Sequence, residues 1–297
     1  MKPRKNTDES VAFKPLSKLG IIAGGGALPM RLIQHCREND IDFMVIAFEG
    51  QTDPGILDGT HFMLTRLGAA GRIIDTLKAN NIVDLVLIGA LRRPGLQELR
   101  PDWRTFRFFT KVGVRALGDD GLLKALRGEL ESEGFTLHGV HNFIPALLAT
   151  DQTYTTQSPK KSDWVNIKRG IEVSQLLGRA DIGQSVIIQE GIVIGVEAIE
   201  GTDALIQRCA TLQRKGRGGV LVKSCKPQQD KDLDLPTVGV QTIHNAVAAG
   251  LRGLVVDVGK TLMIDPQDMV AYADAHKFFI MGIDMADFKK SEDVQHG

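Results

Sequence analysis

Three short apolar runs, at residues 19–23, 43–48 and 83–88, alternate with two stretches of helical spacing, and this alternation limits the fold more than any other feature of the chain. The runs are too short for buried helices, and they lack the every-second-residue pattern of a half-exposed strand. They read as strands covered on both faces. After the first run, Leu28, Leu32, Ile33 and Cys36 fall on one face of a helix, with Pro29 in its first turn. Residues 71–80 predict a second, shorter helix. Strand, helix, strand, helix, strand in that order predicts a parallel sheet with helices on both faces, a Rossmann-like α/β domain.

The pattern continues with an amphipathic helix over 119–133, striped by Leu122, Leu123, Leu126 and Leu130. Residues 150–163 (TDQTYTTQSPKKSD) are polar and aperiodic and read as a linker. Beyond them come a helix over 164–177, a hairpin turning at Glu190-Gly191, and a helix after Gly201-Thr202-Asp203. A strand over 219–222, a helix over 242–249 and two strands about Gly259 follow. Asp265-Pro266 reads as a capped helix start, and 278–282 as a closing strand. The expected organisation is a disordered leader over 1–17, a Rossmann-like domain over 18–150, and a second, mixed α/β domain over 160–297 that carries the catalysis. A chain of 297 residues can form two such cores.

Composition removes several classes of function. Lys+Arg and Asp+Glu both total 36, so no net charge draws the chain to nucleic acid or anionic lipid, and any anion site must be local. Three scattered cysteines suit a reducing compartment rather than a disulfide framework. The N-terminus lacks an apolar signal segment, and no apolar run approaches a membrane span. The expectation is a cytoplasmic protein whose contact with a membrane, where it occurs, is peripheral and made from the water side.

Two segments carry candidate chemistry. Gly24-Gly25-Gly26 sits between the first strand and helix, where backbone N–H groups of Gly25 and Gly26 can meet an anion. Glu49 ends the second strand, where a ribose-binding acid falls in dinucleotide folds, so an NAD(P)-dependent oxidoreductase competes. Pro29 replaces the third glycine of that fingerprint, and a plain tight turn is the bland reading. The second segment runs from Lys223 to Gly239. Asp230, Asp232 and Asp234 recur at every second position between Lys223, Lys226 and Gln229 on one side and Thr237 on the other. If extended, the three carboxylates share one side. Oxygen ligands with lysines nearby suit Mg²⁺ or Mn²⁺ and a phosphate substrate; a solvated acidic loop is the alternative. Thr202 and Asp203, after Glu197, open a helix as caps or as phosphate contacts. The seven histidines show no zinc spacing, and no Walker A or GxSxG motif occurs.

The stretches LGIIAGGGALP, GDDGLLKAL, DIGQSVIIQEG, VEAIEGTDALI and LVKSCKPQQDKDLDLPTVGVQTI, in order from about residue 18 to 283, together resemble the UDP-2,3-diacylglucosamine pyrophosphatases of the LpxI type. The resemblance implies Mg²⁺-dependent hydrolysis of UDP-2,3-diacylglucosamine to UMP and 2,3-diacylglucosamine 1-phosphate in the lipid A biosynthesis of a Gram-negative bacterium. It also implies a homodimer, a lipid product held between two domains, and Asp234, the aspartate before Leu-Pro, as the catalytic residue. Asp230 is the second candidate metal ligand beside Asp234. Asp232 stands where the family pattern is usually basic. A non-catalytic nucleotide-sugar-binding module is the remaining alternative.

Overall fold

The computed structural model describes residues 18–92, 99–112 and 119–288. The expected leader at 1–17 lies outside the described residues. In the first half, strands β1 (Leu19–Ala23), β2 (Phe43–Phe48), β3 (Phe62–Thr65), β4 (Asp84–Ile88) and β5 (Thr136–Leu137) form a wholly parallel sheet in the order β3-β2-β1-β4-β5. Alternate residues of one strand enter different cores. Val45 and Ala47 of β2 pack with Leu28, Leu32, Ile33 and Cys36 of helix α1 (Leu28–Glu38). Met44 and Ile46 pack with Ile73, Ile74 and Leu77 of α2 (Ala70–Ala79) and with Leu130 of α4 (Asp119–Ser132). Both faces are therefore covered, as the unbroken apolar runs require.

Three elements escaped the sequence reading. Strand β3 lies at the sheet edge with Phe62 and Leu64 exposed, and β5 has only two residues. Helix α3 (Trp103–Val112) joins the first layer through Thr105, whose hydroxyl donates to Gly68 O at 2.8 Å.

The second sheet has the order β12-β10-β8-β6-β7, from β6 (Ser185–Gln189), β7 (Ile192–Val196), β8 (Val220–Lys223), β10 (Gly253–Asp257) and β12 (Phe279–Ile283). The strands β8, β10 and β12 are parallel, whereas β6 runs antiparallel to both of its neighbours, β8 and β7, so the sheet is mixed. Glu190 and Gly191 both take positive φ (52° and 75°), the conformation that a two-residue hairpin turn demands. Helix α5 (Lys161–Arg179) covers one face, and α6 (Gly201–Ala210), α7 (Val240–Ala248) and α8 (Pro266–Ala275) cover the other. Gly170 of α5 is required for the first packing, because a Cβ there would lie 2.3 Å from Val222 Cγ2.

The 150–163 stretch, read as the linker, lies along the second half: Thr153 bridges Met281, and Ile280 N donates to the buried Thr155 hydroxyl at 3.0 Å. Thr156 bonds to Asp274 of α8, while most of the other polar residues of the stretch are exposed. One expectation needs correction. Asp265 does not cap α8. It has left-handed backbone (φ 53°), makes no capping bond, and pairs with Arg31 of α1 instead.

The two halves meet at a short parallel ladder of β9 (Thr237–Val238) with β11 (Leu262–Met263). Neighbouring residues in this ladder face opposite cores. Leu262 packs with α1 and β1, while Met263 packs with α7 and α8.

Candidate functional site

Strand pairing sets the first part of the site. Ser185 on β6 lies opposite Lys223 on β8, and Glu197, just past β7, donates its backbone N–H to Ser185 O at 2.9 Å. Glu197, Ser185 and Lys223 thus stand side by side at one edge of the second sheet. The first turn of α6 closes over them. The Lys223 ammonium donates to Thr202 Oγ1 at 2.7 Å, and the Thr202 hydroxyl donates to Glu197 Oε1 at 3.1 Å. Ser185 Oγ lies 3.2 Å from Thr202 Oγ1, and Thr242 of α7 donates to Asp203 Oδ1 at 3.3 Å. Burial lowers the pKa of Lys223, while the charges of Glu197, Asp203 and Asp234 act to raise it. Glu197 Oε2 is buried and has no hydrogen-bond partner among the described residues.

The loop from 224 to 236 supplies Asp234. It does not run extended, so the expected one-sided strip of carboxylates does not form. Residues 231–233 turn, with Asp234 N–H donating to Asp230 O at 3.0 Å. A turn rotates successive side chains apart, whereas extended chain would alternate them. Asp230 and Asp232 both go to Arg127 of α4; the Arg127–Asp232 bond is 2.9 Å long. Burial works against the Arg127 charge, but the bonds to Asp232 and Asp230 outweigh it and raise its pKa. Asp232, in the position that is usually basic in the resembled family, is therefore one half of an ion pair within the chain. Asp234 is separate from that pair. Its Oδ2 accepts from Gln229 Nε2 at 2.8 Å, and Gln229 Oε1 in turn accepts from Lys226 N–H at 3.1 Å. Leu233 and Leu235 are buried on the N-terminal side of the molecule, in two different cores, and pin the loop on either side of Asp234.

The remaining sequence candidates are placed elsewhere. The Lys226 ammonium lies 2.7 Å from Asp181 Oδ1. The Thr237 hydroxyl donates to Leu235 O at 3.1 Å. The N–H groups of Gly24 and Gly25 donate to Ile88 O and Ala90 O, both at 2.8 Å, so they form no amide cradle for a phosphate. A Cβ on Gly24 would sit 2.6 Å from Ala90 O, which explains this glycine by close approach of two loops. Gly26, at φ 92°, faces open space. Cys225 bonds weakly to Gln229 Oε1, and burial pushes its pKa up to about 11, so it stays a protonated donor and not a nucleophile.

Sequence reasoning missed Ser185, Thr242 and Arg127. Arg127 lies 103 residues from Asp230, and no local pattern signals such a pairing. It also missed a cleft of about 640 Å³ beside the N-terminal sheet, lined by Arg66, Arg72 and Arg100 with Glu49, Thr65 and Asp102. None of its lining residues belongs to the Lys223 network.

Among the described residues, no group of three or more His, Cys, Asp or Glu is arranged to hold a metal. With Asp230 committed to Arg127, Asp234 is the one carboxylate left of the two expected as metal ligands, so an ion here would need substrate and water oxygens to complete its shell.

These features define an α/β protein of two sheets, with a polar site at the edge of the second sheet and an aspartate loop anchored in both halves. The LpxI N-terminal domain model matches residues 18–147, and the LpxI C-terminal domain model matches residues 150–281. The chain belongs to the LpxI family. It is 37% identical over 276 residues, 91% of this chain and 98% of the relative, to the UDP-2,3-diacylglucosamine pyrophosphatase LpxI of Caulobacter vibrioides. Among solved structures, the biotin carboxylase subunit of pyruvate carboxylase is similar at 14% identity and a TM-score of 0.21, over 58% of this chain and 34% of that one.

Proposed function

We propose that this chain hydrolyses the pyrophosphate bond of UDP-2,3-diacylglucosamine, giving UMP and 2,3-diacylglucosamine 1-phosphate for lipid A synthesis. The observation that carries this reading is the near full-length match to a pyrophosphatase of that name, which spans both halves of the chain. In the proposed step, water adds to the α-phosphorus, its oxygen stays with UMP, and the bridging oxygen leaves with the sugar phosphate. Asp234 is suited to position the water, because Gln229 holds one carboxylate oxygen and fixes the group's orientation. Mg²⁺ or Mn²⁺, held by Asp234, would supply Lewis-acid stabilisation of phosphate charge. Lys223 and Thr202 brace the first turn of α6, whose N–H groups offer an anion contact beside Asp203. The two acyl chains and the lipid product would occupy the junction of the two halves, with the enzyme acting as a homodimer.

Incubation of purified protein with UDP-2,3-diacylglucosamine and Mg²⁺ should release UMP, identified by mass. EDTA should stop the release, and added Mg²⁺ should restore it. Asp234→Ala should lower kcat by about 10²–10³-fold in a protein that still folds and binds substrate. A folded Asp234→Ala protein with near-parental kcat would sink the assignment.

A further inference from the structure

We infer that the exposed face of α3 docks the enzyme onto an anionic phospholipid surface, a deepening that rests on the lipid substrate proposed above. The helix is fixed mainly through Asp102, Arg104 and Thr105, with Lys111 reaching Glu129 of α4. Thr105 is buried and bonded to Gly68, Asp102 accepts N–H groups from Gly71 and Thr105, and Arg104 pairs with Glu133 and Asp75. The opposite side carries large aromatic groups in water: Trp103 is 76% exposed, Phe106 50% and Phe109 40%. They recur every third residue and so share one face. Trp103 and Phe106 stack at 5.8 Å, forming one continuous apolar plate. A soluble domain seldom leaves such a plate uncovered without a partner.

The chemistry of its border selects the partner. Exposed Arg107 and Lys111 flank the aromatic arc, Lys111 also pairing with Glu129 of α4 at 3.1 Å, and Trp103–Val112 itself contains no acidic residue. Aromatic rings beside a basic edge, on a helix lying flat, match the interface between lipid headgroups and acyl chains. A second copy of the chain is a poorer partner, since a two-fold contact through this face would bring Arg107 and Lys111 near their own equivalents. The chain has no overall positive charge, so attraction to anionic lipid must come from a local feature such as this edge. No helix among the described residues is long and apolar enough to cross a membrane. An enzyme that takes a two-chain substrate and releases a two-chain product gains from a surface that rests on the bilayer.

The test uses the full chain and vesicles of phosphatidylethanolamine and phosphatidylglycerol, with phosphatidylcholine vesicles for comparison. The parent protein should sediment with the anionic vesicles, less so at high salt. Its tryptophan emission should shift to the blue, because Trp164, the other tryptophan, is already packed on Phe288. Trp103→Ser with Phe106→Ser, and separately Arg107→Glu, should each weaken vesicle binding by about tenfold or more. Both variants should keep parental thermal stability and parental turnover of detergent-dispersed substrate. The inference is overturned if the parent ignores anionic vesicles, if the serine variant binds them as well as the parent does, or if that variant loses a dimer that the parent forms. Vesicle binding is read without turnover, so failure of the proposed pyrophosphatase reaction would show separately, as absence of UMP in the detergent assay.

Discussion

Lys223 is a buried amine that donates to Thr202; burial lowers its pKa, and carboxylates from three different segments act against that shift. Removing it leaves the buried carboxylate of Glu197 without a nearby cation, whereas Asp203 is exposed and Asp234 half-buried. Lys223→Ala should therefore cost roughly 3 kcal/mol of stability, seen as a lower urea midpoint with an unchanged slope. Thr202→Val keeps the shape but breaks the link to Glu197, and should cost about 1–2 kcal/mol. If Lys223→Ala unfolds at the parental urea concentration, Lys223 does not balance the Glu197 carboxylate. Lys223, Thr202 and Asp203 were legible as candidates because each sits at a strand end or a helix start. Their mutual contact was not, since it depends on the pairing of β6 with β8. The same limit explains Asp230 and Lys226. Residue type and spacing suggested a site, but each found an opposite charge far away in sequence, in Arg127 and Asp181, that no periodicity reveals.

At the scale of elements, the helix starts show how local signals compete with tertiary partners. Asp265-Pro266 has the ideal sequence for a cap, yet its carboxylate is drawn to Arg31. Helix α2 has no capping side chain of its own. It takes one from Asp102, which accepts Gly71 N–H at 2.8 Å across 31 residues and also accepts Thr105 N–H of α3. Burial raises the Asp102 pKa, but the bonds from Thr105, Gly71 and Arg72 outweigh it, and the carboxyl titrates below its ordinary value of 3.8. A depressed folded pKa gives stability that is present above the unfolded pKa and is lost as pH falls through the folded value. Asp102→Ala should thus lose about 1 kcal/mol at pH 7, and the gap from the parent should narrow below about pH 3.8. A gap that is constant from pH 7 to pH 3 would show that the charged carboxylate is not the cap. The long apolar strands were readable because burial on both faces leaves an unbroken run. Edge strand β3 and the two-residue β5 and β9 were not, because so few residues make no pattern; β11 was read only because it follows the turn at Gly259.

Across the whole molecule, the β9–β11 ladder joins the two cores, with Leu235 facing the first and Val238 the second. If acyl chains occupy this junction, a deacylated UDP-sugar should bind more weakly, by about 0.8 kcal/mol for each CH₂ that is buried. Equal KM for the two substrates would remove the lipid from the junction and leave the phosphate chemistry standing. The sequence by itself determined that the chain forms a parallel-sheet domain followed by a second α/β domain containing a hairpin, because periodicity and glycine punctuation act between near neighbours. It also nominated Asp234, through resemblance to a family motif whose residues are contiguous. Only the tertiary structure decided which charges meet. Hydrogen bonds and ion pairs form over a few ångströms in space, and the folded backbone alone sets which distant residues come that close.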